Sequence, residues 1–195
     1  MMIQTDAEQA FLQRLRSETA PQHQQLEQNP LSAALMRPDV RKDDYAAYLS
    51  YMYRVIEYCE QTVFPAIKDI ADTSGRHKLP ALAADLAFLG KTPHSEDFVI
   101  TPGPLSAAQA MGYMYVIEGS TLGGRVILKH ISKTIPVNAT AGAAYFHGYG
   151  DETGSRWKNF LQELTDFTVN NRCEEAVITA ATHAFTAIGH YFSRK

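Results

Sequence analysis

The 195-residue sequence has only two cysteines and no excess of basic charge, and both shortages exclude classes of protein. Cys59 and Cys173 lie far apart without a CxxC spacing, so a disulfide framework is not expected and both should be free thiols in a reducing cytoplasm. The formal net charge of -3 comes with no polybasic signature, which argues against nucleic acid as a partner.

Long apolar runs are also missing. None approaches the roughly 20 residues of a bilayer-spanning helix, and the opening MMIQTDAEQAF lacks the basic and apolar regions of a signal peptide. We therefore expect a cytoplasmic protein without a membrane anchor. Period-two alternation, Asn-Gly or Asp-Gly hairpin turns and internal repeats are absent too. With 45% hydrophobic and 20% charged residues, the chain should form one domain over residues 1–195.

Helical patterns fill most of the sequence and predict an all-α fold of about seven helices. In residues 43–63, for example, apolar side chains recur at spacings of three and four. We expect the first helix, over residues 6–28, to bend or restart at Pro21, with Thr19 as the cap of its second part. The other predicted elements are a helix over residues 79–90, a helix opening at Ser106, a short helix and loop within residues 140–154, and helices over residues 155–169 and 173–192.

Two helix ends carry specific capping signals. Gly90 follows the apolar residues LPALAADLAFL and is the expected C-cap of that helix. Ser106 and Gln109 have the spacing of a capping box, which predicts where the next long helix begins.

That long helix contains a stretch, YVIEGSTLGGRVILKH at residues 115–130, that is unusual for a buried helix. Residues 119–124, which we call the glycine segment, include Gly119, Gly123 and Gly124. Each of these glycines costs a helix interior about 1 kcal/mol relative to alanine. Their presence therefore requires a compensating reason.

A phosphate loop is not that reason. Arg125 and Val126 stand where such a loop has Lys and Ser or Thr, and no predicted strand precedes the segment. Three explanations stay open at this point: close packing of two helices, a kink caused by the glycines, and direct approach of the backbone to a flat ligand.

The stretch LRSETAPQHQQLEQN, residues 15–29, offers a candidate ligand for a metal. His23 precedes Glu27 by one helical turn, so both side chains share a face. A carboxylate, or a water that it holds, can accept the Nδ1–H of the imidazole, which leaves Nε2 free for a metal. Arg16 lies two turns earlier, about 10 Å along the axis, where a cation could reach the negative edge of a large planar cofactor. A surface helix with chance polar spacing would show the same pattern.

Together, these stretches resemble the heme oxygenases. LRSETAPQHQQLE is similar to their proximal-helix motif, with Thr19, His23 and Glu27 in register, and YVIEGSTLGGRV is similar to their glycine-bearing distal helix. ATHAFTAIGHYF resembles their closing helix, with Phe185 and Phe192 at matching spacing. The resemblance is strongest to the bacterial, biliverdin-forming branch, which includes enzymes that supply chromophore to bacterial phytochromes.

The resemblance implies a single-domain helical bundle that holds heme between a proximal and a kinked distal helix. It makes His23 the axial ligand of the heme iron, with Glu27 beside it. Gly119, Ser120 and Gly123 would form the catalytic face opposite, where missing side chains leave room for dioxygen and water. The other positions expected to contact the cofactor are Arg16 and Lys158 at the heme propionates, Tyr113 as a further propionate candidate seven residues before Ser120, and Gly124 in the glycine segment.

The implied activity is oxidative cleavage of heme at a meso carbon to biliverdin, carbon monoxide and ferrous iron. Heme is both substrate and cofactor in this chemistry. The sequence carries no flavin or nicotinamide fingerprint, so the electrons would come from an external reductase or ferredoxin. A functional link to a bacterial phytochrome is a further expectation from the branch that the glycine segment resembles.

Two departures from the family pattern bear on this expectation. Ser120 stands where animal enzymes have an aspartate that organises water, and a hydroxyl cannot supply the same charge. Gln162 aligns loosely with an arginine that steers heme orientation in some relatives, which leaves the position of ring cleavage open.

Other chemistry on this scaffold stays as an alternative. One alternative is a heme-binding or heme-handling protein without turnover, and another is a relative with unrelated chemistry such as thiamin-pyrimidine hydrolysis or diiron oxidation. A diiron reading would use Glu57, Glu60 and Glu118, but no ExxH pair accompanies them. His183 and His190 are expected on the surface of the last helix rather than as ligands.

Overall fold

The computed structural model describes residues 6–194, and these residues form helices and no strand, which confirms the predicted all-α fold. Within that range, no helix combines the length and apolar character that crossing a bilayer requires. The helices are α1 (Asp6–Gln28), α2 (Pro30–Ala33), α3 (Lys42–Tyr58), α4 (Phe64–Ile67), α5 (Leu79–Leu89), α6 (Ala107–Ile131), α7 (Ala144–His147), α8 (Thr153–Asn171) and α9 (Glu174–Phe192).

Helix α1 runs through Pro21 without restarting, so the predicted restart is wrong. Thr19 does not cap a second helix; instead, its buried Oγ1 donates to the carbonyl of Leu15 within α1, at 2.7 Å. The first half of α1 is fixed by buried side chains, including Phe11 and Leu15, and tertiary packing of this kind outweighs the local cost of a proline.

The end of α1 is tied to the end of α9 by Asn29. The side-chain amide of Asn29 donates to the carbonyl of Gly189 at 3.1 Å and to the hydroxyl of Ser193 at 2.9 Å. The same side chain accepts from the backbone N–H of Leu31 and caps α2. The C-terminal ends of α1 and α9 are therefore held together at one end of the bundle.

The predicted helix over residues 43–63 is interrupted near its end. Helix α3 stops at Tyr58, and a π-helical turn, Cys59–Val63, leads directly into α4. The extra residue in each π hydrogen-bonded ring changes the register of the side chains that follow, which a three- and four-residue spacing does not reveal.

Both predicted capping signals are confirmed. Gly90 takes a left-handed conformation, with φ of 71°, directly after α5. The Ser106 hydroxyl accepts from the backbone N–H of Gln109 while the Gln109 side chain accepts from that of Ser106, so α6 opens with a capping box.

Helix α9 is the common support of α1 and α6, because both pack along it. The closest approach is at Gly112 of α6, where an added Cβ would lie 2.5 Å from the carbonyl oxygen of Val177 and 2.7 Å from the Cβ of Ala180. Close helix packing therefore explains Gly112, which lies about two helical turns before the glycine segment.

We predict that Gly112→Ala destabilises the protein by about 1–3 kcal/mol, because the new methyl group meets backbone that cannot move aside alone. Gly154→Ala is the matched control, since Gly154 also lies in a helix but has open space around its Cβ position. Urea unfolding followed by circular dichroism measures both. Equal stabilities for the two variants would contradict the close packing of α6 on α9.

Candidate functional site

A cavity of about 660 Å³ lies between the second half of α1 and the middle of α6. This volume is within the range of small-molecule and cofactor sites. Its lining is largely apolar, with a small number of polar groups contributed by α1 and α6. The lining includes His23, Leu26 and Glu27 from α1, Tyr115, Gly119, Ser120, Leu122, Gly123 and Val126 from α6, Trp157 from α8, and Phe185, Ile188 and Phe192 from α9.

His23 presents its imidazole to this cavity. The His23 ring stands edge-on to the ring of Phe185, with the centroids 5.4 Å apart and the planes at 87°. Its Nδ1 lies 3.7 Å from a carboxylate oxygen of Glu27, which directs that nitrogen along α1 and leaves Nε2 on the far side of the ring. The His23 side chain is 55% exposed, so a ligand in the cavity can reach the imidazole.

Gly119 and Gly123 form the part of the opposite wall with the fewest side-chain atoms. A Cβ at Gly123 would meet nothing within 4 Å, and one at Gly119 would only touch the Trp157 ring at 3.5 Å. Helix packing therefore does not require a glycine at either position. Because both positions line the cavity, their missing side chains leave room beside this wall.

Gly124 has a different role, and its expected contact with a cofactor is corrected by its position. Gly124 is buried outside the cavity lining, and its Cβ would lie 3.2 Å from the Phe146 ring and 3.3 Å from the Phe146 carbonyl. It lets α7 lie close against α6. The buried Asp85 carboxylate holds α7 there by accepting from the backbone N–H groups of Ala144 and Tyr145 at 2.9 and 2.8 Å.

Ser120 is the polar group on the glycine-bearing wall. Its hydroxyl donates to the carbonyl of Ile117 at 2.7 Å, so its oxygen lone pairs can accept a hydrogen bond from a water or a neighbouring hydroxyl. Tyr145 is such a neighbour: burial raises the pKa of Tyr145 well above its usual value, and its contact with Ser120 opposes that shift.

Tyr113 does not reach the cavity, which corrects the expectation that it contacts a propionate. It is buried, with its hydroxyl 2.8 Å from that of Thr101 and 3.5 Å from Nδ1 of His183. Tyr115 lines the cavity instead, because it precedes Gly119 by one helical turn and shares its face of α6.

Positive charge is available beside Tyr115. Burial raises the pKa of the Tyr115 hydroxyl, and this shift is opposed by a hydrogen bond with Thr19 and by the charge of Arg16. Lys158 is exposed and follows Trp157, whose ring lies 5.6 Å from that of Tyr115. Neither Arg16 nor Lys158 lines the cavity; Arg16 lies on α1, and Lys158 lies on α8 next to the lining residue Trp157.

Several further predictions fall outside the cavity lining. Gln162 donates to the carboxylate of Asp166 at 2.8 Å along α8. His183 and His190 are exposed residues of α9, as expected. Among residues 6–194, no group of three or more His, Cys, Asp or Glu side chains could hold a metal ion.

The arrangement of these helices is that of the heme oxygenase fold. A solved structure of the heme oxygenase of Neisseria meningitidis is similar, with a TM-score of 0.76 at 24% identity over 95% of this chain and 93% of that one. That likeness by itself shows the fold.

Sequence comparisons define the family. The heme oxygenase family model matches residues 9–194. A heme oxygenase of Xanthomonas campestris is 30% identical over 159 residues, which cover 80% of this chain and 93% of the relative. Heme oxygenase PigA of Pseudomonas aeruginosa is 26% identical over 190 residues, covering 93% and 91%. The chain belongs to the heme oxygenase family.

We predict that Gly123→Ala stabilises the ligand-free protein by up to about 1 kcal/mol, because the new methyl group has open space and alanine favours a helix. Gly124→Ala is the matched control and should bring no such gain, since Phe146 must move. Thermal unfolding of both variants measures this difference. A loss of stability in Gly123→Ala would show that packing, and not a ligand, requires this glycine.

Proposed function

We propose that this protein binds heme in the cavity between α1 and α6 and cleaves it oxidatively at a meso carbon to biliverdin, carbon monoxide and ferrous iron. The observation that carries the proposal is that His23 and the side-chain-free positions Gly119 and Gly123 line the same cavity from its two helical walls. Bound heme would supply the iron at which dioxygen is activated.

The wall formed by α1 would hold and orient the heme iron. Nε2 of His23 is the atom that would bind the iron, because Nδ1 is directed toward Glu27. The Glu27 carboxylate beside Nδ1 favours the tautomer that carries its proton on Nδ1. The ring of Phe185 limits rotation of the imidazole by edge-on contact.

The wall formed by α6 would control what approaches the opposite face of the heme. Gly119 and Gly123 leave room for dioxygen and water because no side chain projects there. Ser120 can hold one water through its lone pairs, although it cannot supply the charge of a carboxylate. Catalysis on this face therefore relies on the glycine backbone and on neutral hydrogen-bonding groups.

Recognition of the two heme propionates would fall to the charged side of the cavity. Arg16 and Lys158 supply positive charge, and Tyr115 replaces Tyr113 as the hydroxyl that reaches the ligand. Charge-assisted hydrogen bonds of this kind are stronger than neutral ones and fix orientation as well as affinity.

We further propose that residues 1–195 act as one domain in the cytoplasm and receive electrons from a reductase or ferredoxin. We also propose that the protein belongs to the branch that supplies biliverdin to a bacterial phytochrome. The resemblance of YVIEGSTLGGRV to that branch supports this proposal.

Hemin titration tests the proposal directly. We expect the wild-type protein to give a Soret band with one equivalent of hemin, and to develop biliverdin absorbance when an electron donor and dioxygen are added. His23→Ala should shift or abolish the Soret band and weaken binding about tenfold or more, because the candidate iron ligand is gone.

His190→Ala is the matched control, since His190 is an exposed histidine of α9 outside the cavity lining. It should bind and turn over hemin like the wild type. Binding without biliverdin, with a competent donor present, would favour a heme-handling protein in which Ser120 has replaced the catalytic acid. Failure of the wild type to bind hemin would overturn the proposal.

A further inference from the structure

A buried ionic cluster lies behind the glycine segment, against a face of α6 that does not line the cavity. Its centre is Glu118, which is 0% exposed and directly precedes Gly119. Two almost completely buried cations, Arg76 and Lys78, come from the connection between α4 and α5. Tyr149 and Glu163 complete the cluster. The function proposed above uses none of these five residues.

The Glu118 carboxylate is bonded through both of its oxygens. Arg76 Nη1 donates to one oxygen at 2.6 Å, and Lys78 Nζ donates to the other at 2.7 Å. The Tyr149 hydroxyl donates to Glu118 at 2.8 Å and in turn accepts from Lys78 Nζ at 2.8 Å. Buried charges with this many partners hold a fixed geometry, because loss of any partner leaves a charge uncompensated.

The two cations are themselves held independently of α6. Arg76 Nε donates to the carbonyl of Asp72 at 2.5 Å, and the second Arg76 nitrogen, Nη2, lies 3.8 Å from Glu163 of α8. The carboxylate of Glu60, in the π-helical turn, accepts from the backbone N–H groups of Lys78 and Leu79 at 2.6 and 2.9 Å. Glu118 therefore ties α6 to the connection between α4 and α5, which the π-helical turn holds in place through Glu60.

Glu118 is attached to this connection directly before the glycine segment of α6. Glycine has a low helix propensity, and Gly119 and Gly123 also contribute no side chain to packing. The part of α6 that follows Glu118 is therefore poorly stabilised by its own residues. Thr121 adds only a bond within α6, from its hydroxyl to the carbonyl of Glu118 at 2.6 Å. Gly119 and Gly123 can lack side chains at the cavity wall because the bonds of Glu118 hold the other side of α6.

We propose that Glu118 is a positioning residue: its bonds to Arg76, Lys78 and Tyr149 fix the backbone of the glycine segment at the wall of the cavity. One part of this proposal rests on the proposed function: that the ligand facing the glycine segment is heme. The structural claim, that the cluster restrains residues 119–124, can be tested without heme.

Hydrogen exchange of the ligand-free protein tests that claim. Glu118→Gln keeps the size of the side chain and removes its charge. We expect amides of residues 119–124 to exchange about tenfold faster or more, while amides of α9 keep their wild-type rates. Uniform acceleration across all helices would show a general stabilising role and overturn the proposal, as would unchanged exchange in the glycine segment.

Glu163→Gln is the matched control. It removes a charge from the same cluster, but Glu163 contacts Arg76 and the backbone N–H of Asp72 rather than α6. In this variant, the amide hydrogen exchange rates should change near residue 72 and stay at wild-type values in the glycine segment. Tyr149→Phe removes one hydrogen bond to Glu118 and keeps both cations, so it can replace Glu118→Gln if that variant does not fold. We expect a smaller acceleration of amide exchange in Tyr149→Phe, confined to residues 119–124.

A second readout uses hemin-loaded, reduced protein with carbon monoxide. Its carbon monoxide stretching band reports on the wall formed by Gly119 and Gly123. We expect Glu118→Gln to shift or broaden this band and Glu163→Gln to leave it unchanged; equal bands in all three proteins would contradict the positioning role. If hemin does not bind at all, the proposed function fails, and the exchange experiment still decides the role of Glu118.

Discussion

The distance between α1 and α6 is the constraint on which the rest of the structure depends, and α9 maintains it. Both helices pack on α9, at Gly112 for α6 and through the Asn29 hydrogen bonds for α1. Between these points Phe185, Ile188 and Phe192 form the wall of the cavity that joins them. Since α9 is a continuous helix, the gap is a property of the scaffold.

The two walls of that gap have opposite character. The α1 wall carries a polar group with a defined orientation, His23, directed by Glu27 and Phe185. The α6 wall is nearly bare at Gly119 and Gly123, and its stability comes from the buried bonds of Glu118 behind it. A polar, directional wall facing a smooth one suits a flat ligand with a metal at its centre. Family membership and geometry thus lead to the same assignment by separate routes.

Sequence features that depend on neighbours along one helix were predictable. The turn from His23 to Glu27, the capping box of Ser106 and the left-handed Gly90 each need only local geometry.

Features that depend on tertiary contacts could not be predicted from the sequence. Pro21 is accommodated because buried side chains fix the half of α1 that precedes it, and the separate roles of Gly123 and Gly124 depend on Phe146, which is distant in sequence. Tyr113 and Tyr115 lie on different faces of α6: the Tyr113 hydroxyl contacts Thr101, and Tyr115 lines the cavity. The cluster around Glu118 joins segments about forty residues apart, which no spacing rule connects.

A crystal structure of the protein with one equivalent of hemin shows directly whether heme binds in the cavity between α1 and α6. We expect the porphyrin plane between these helices, iron bonded to Nε2 of His23, and the backbone of Gly119 and Gly123 against the opposite face. Iron bonded to another side chain, or hemin bound outside this cavity, would contradict this expectation.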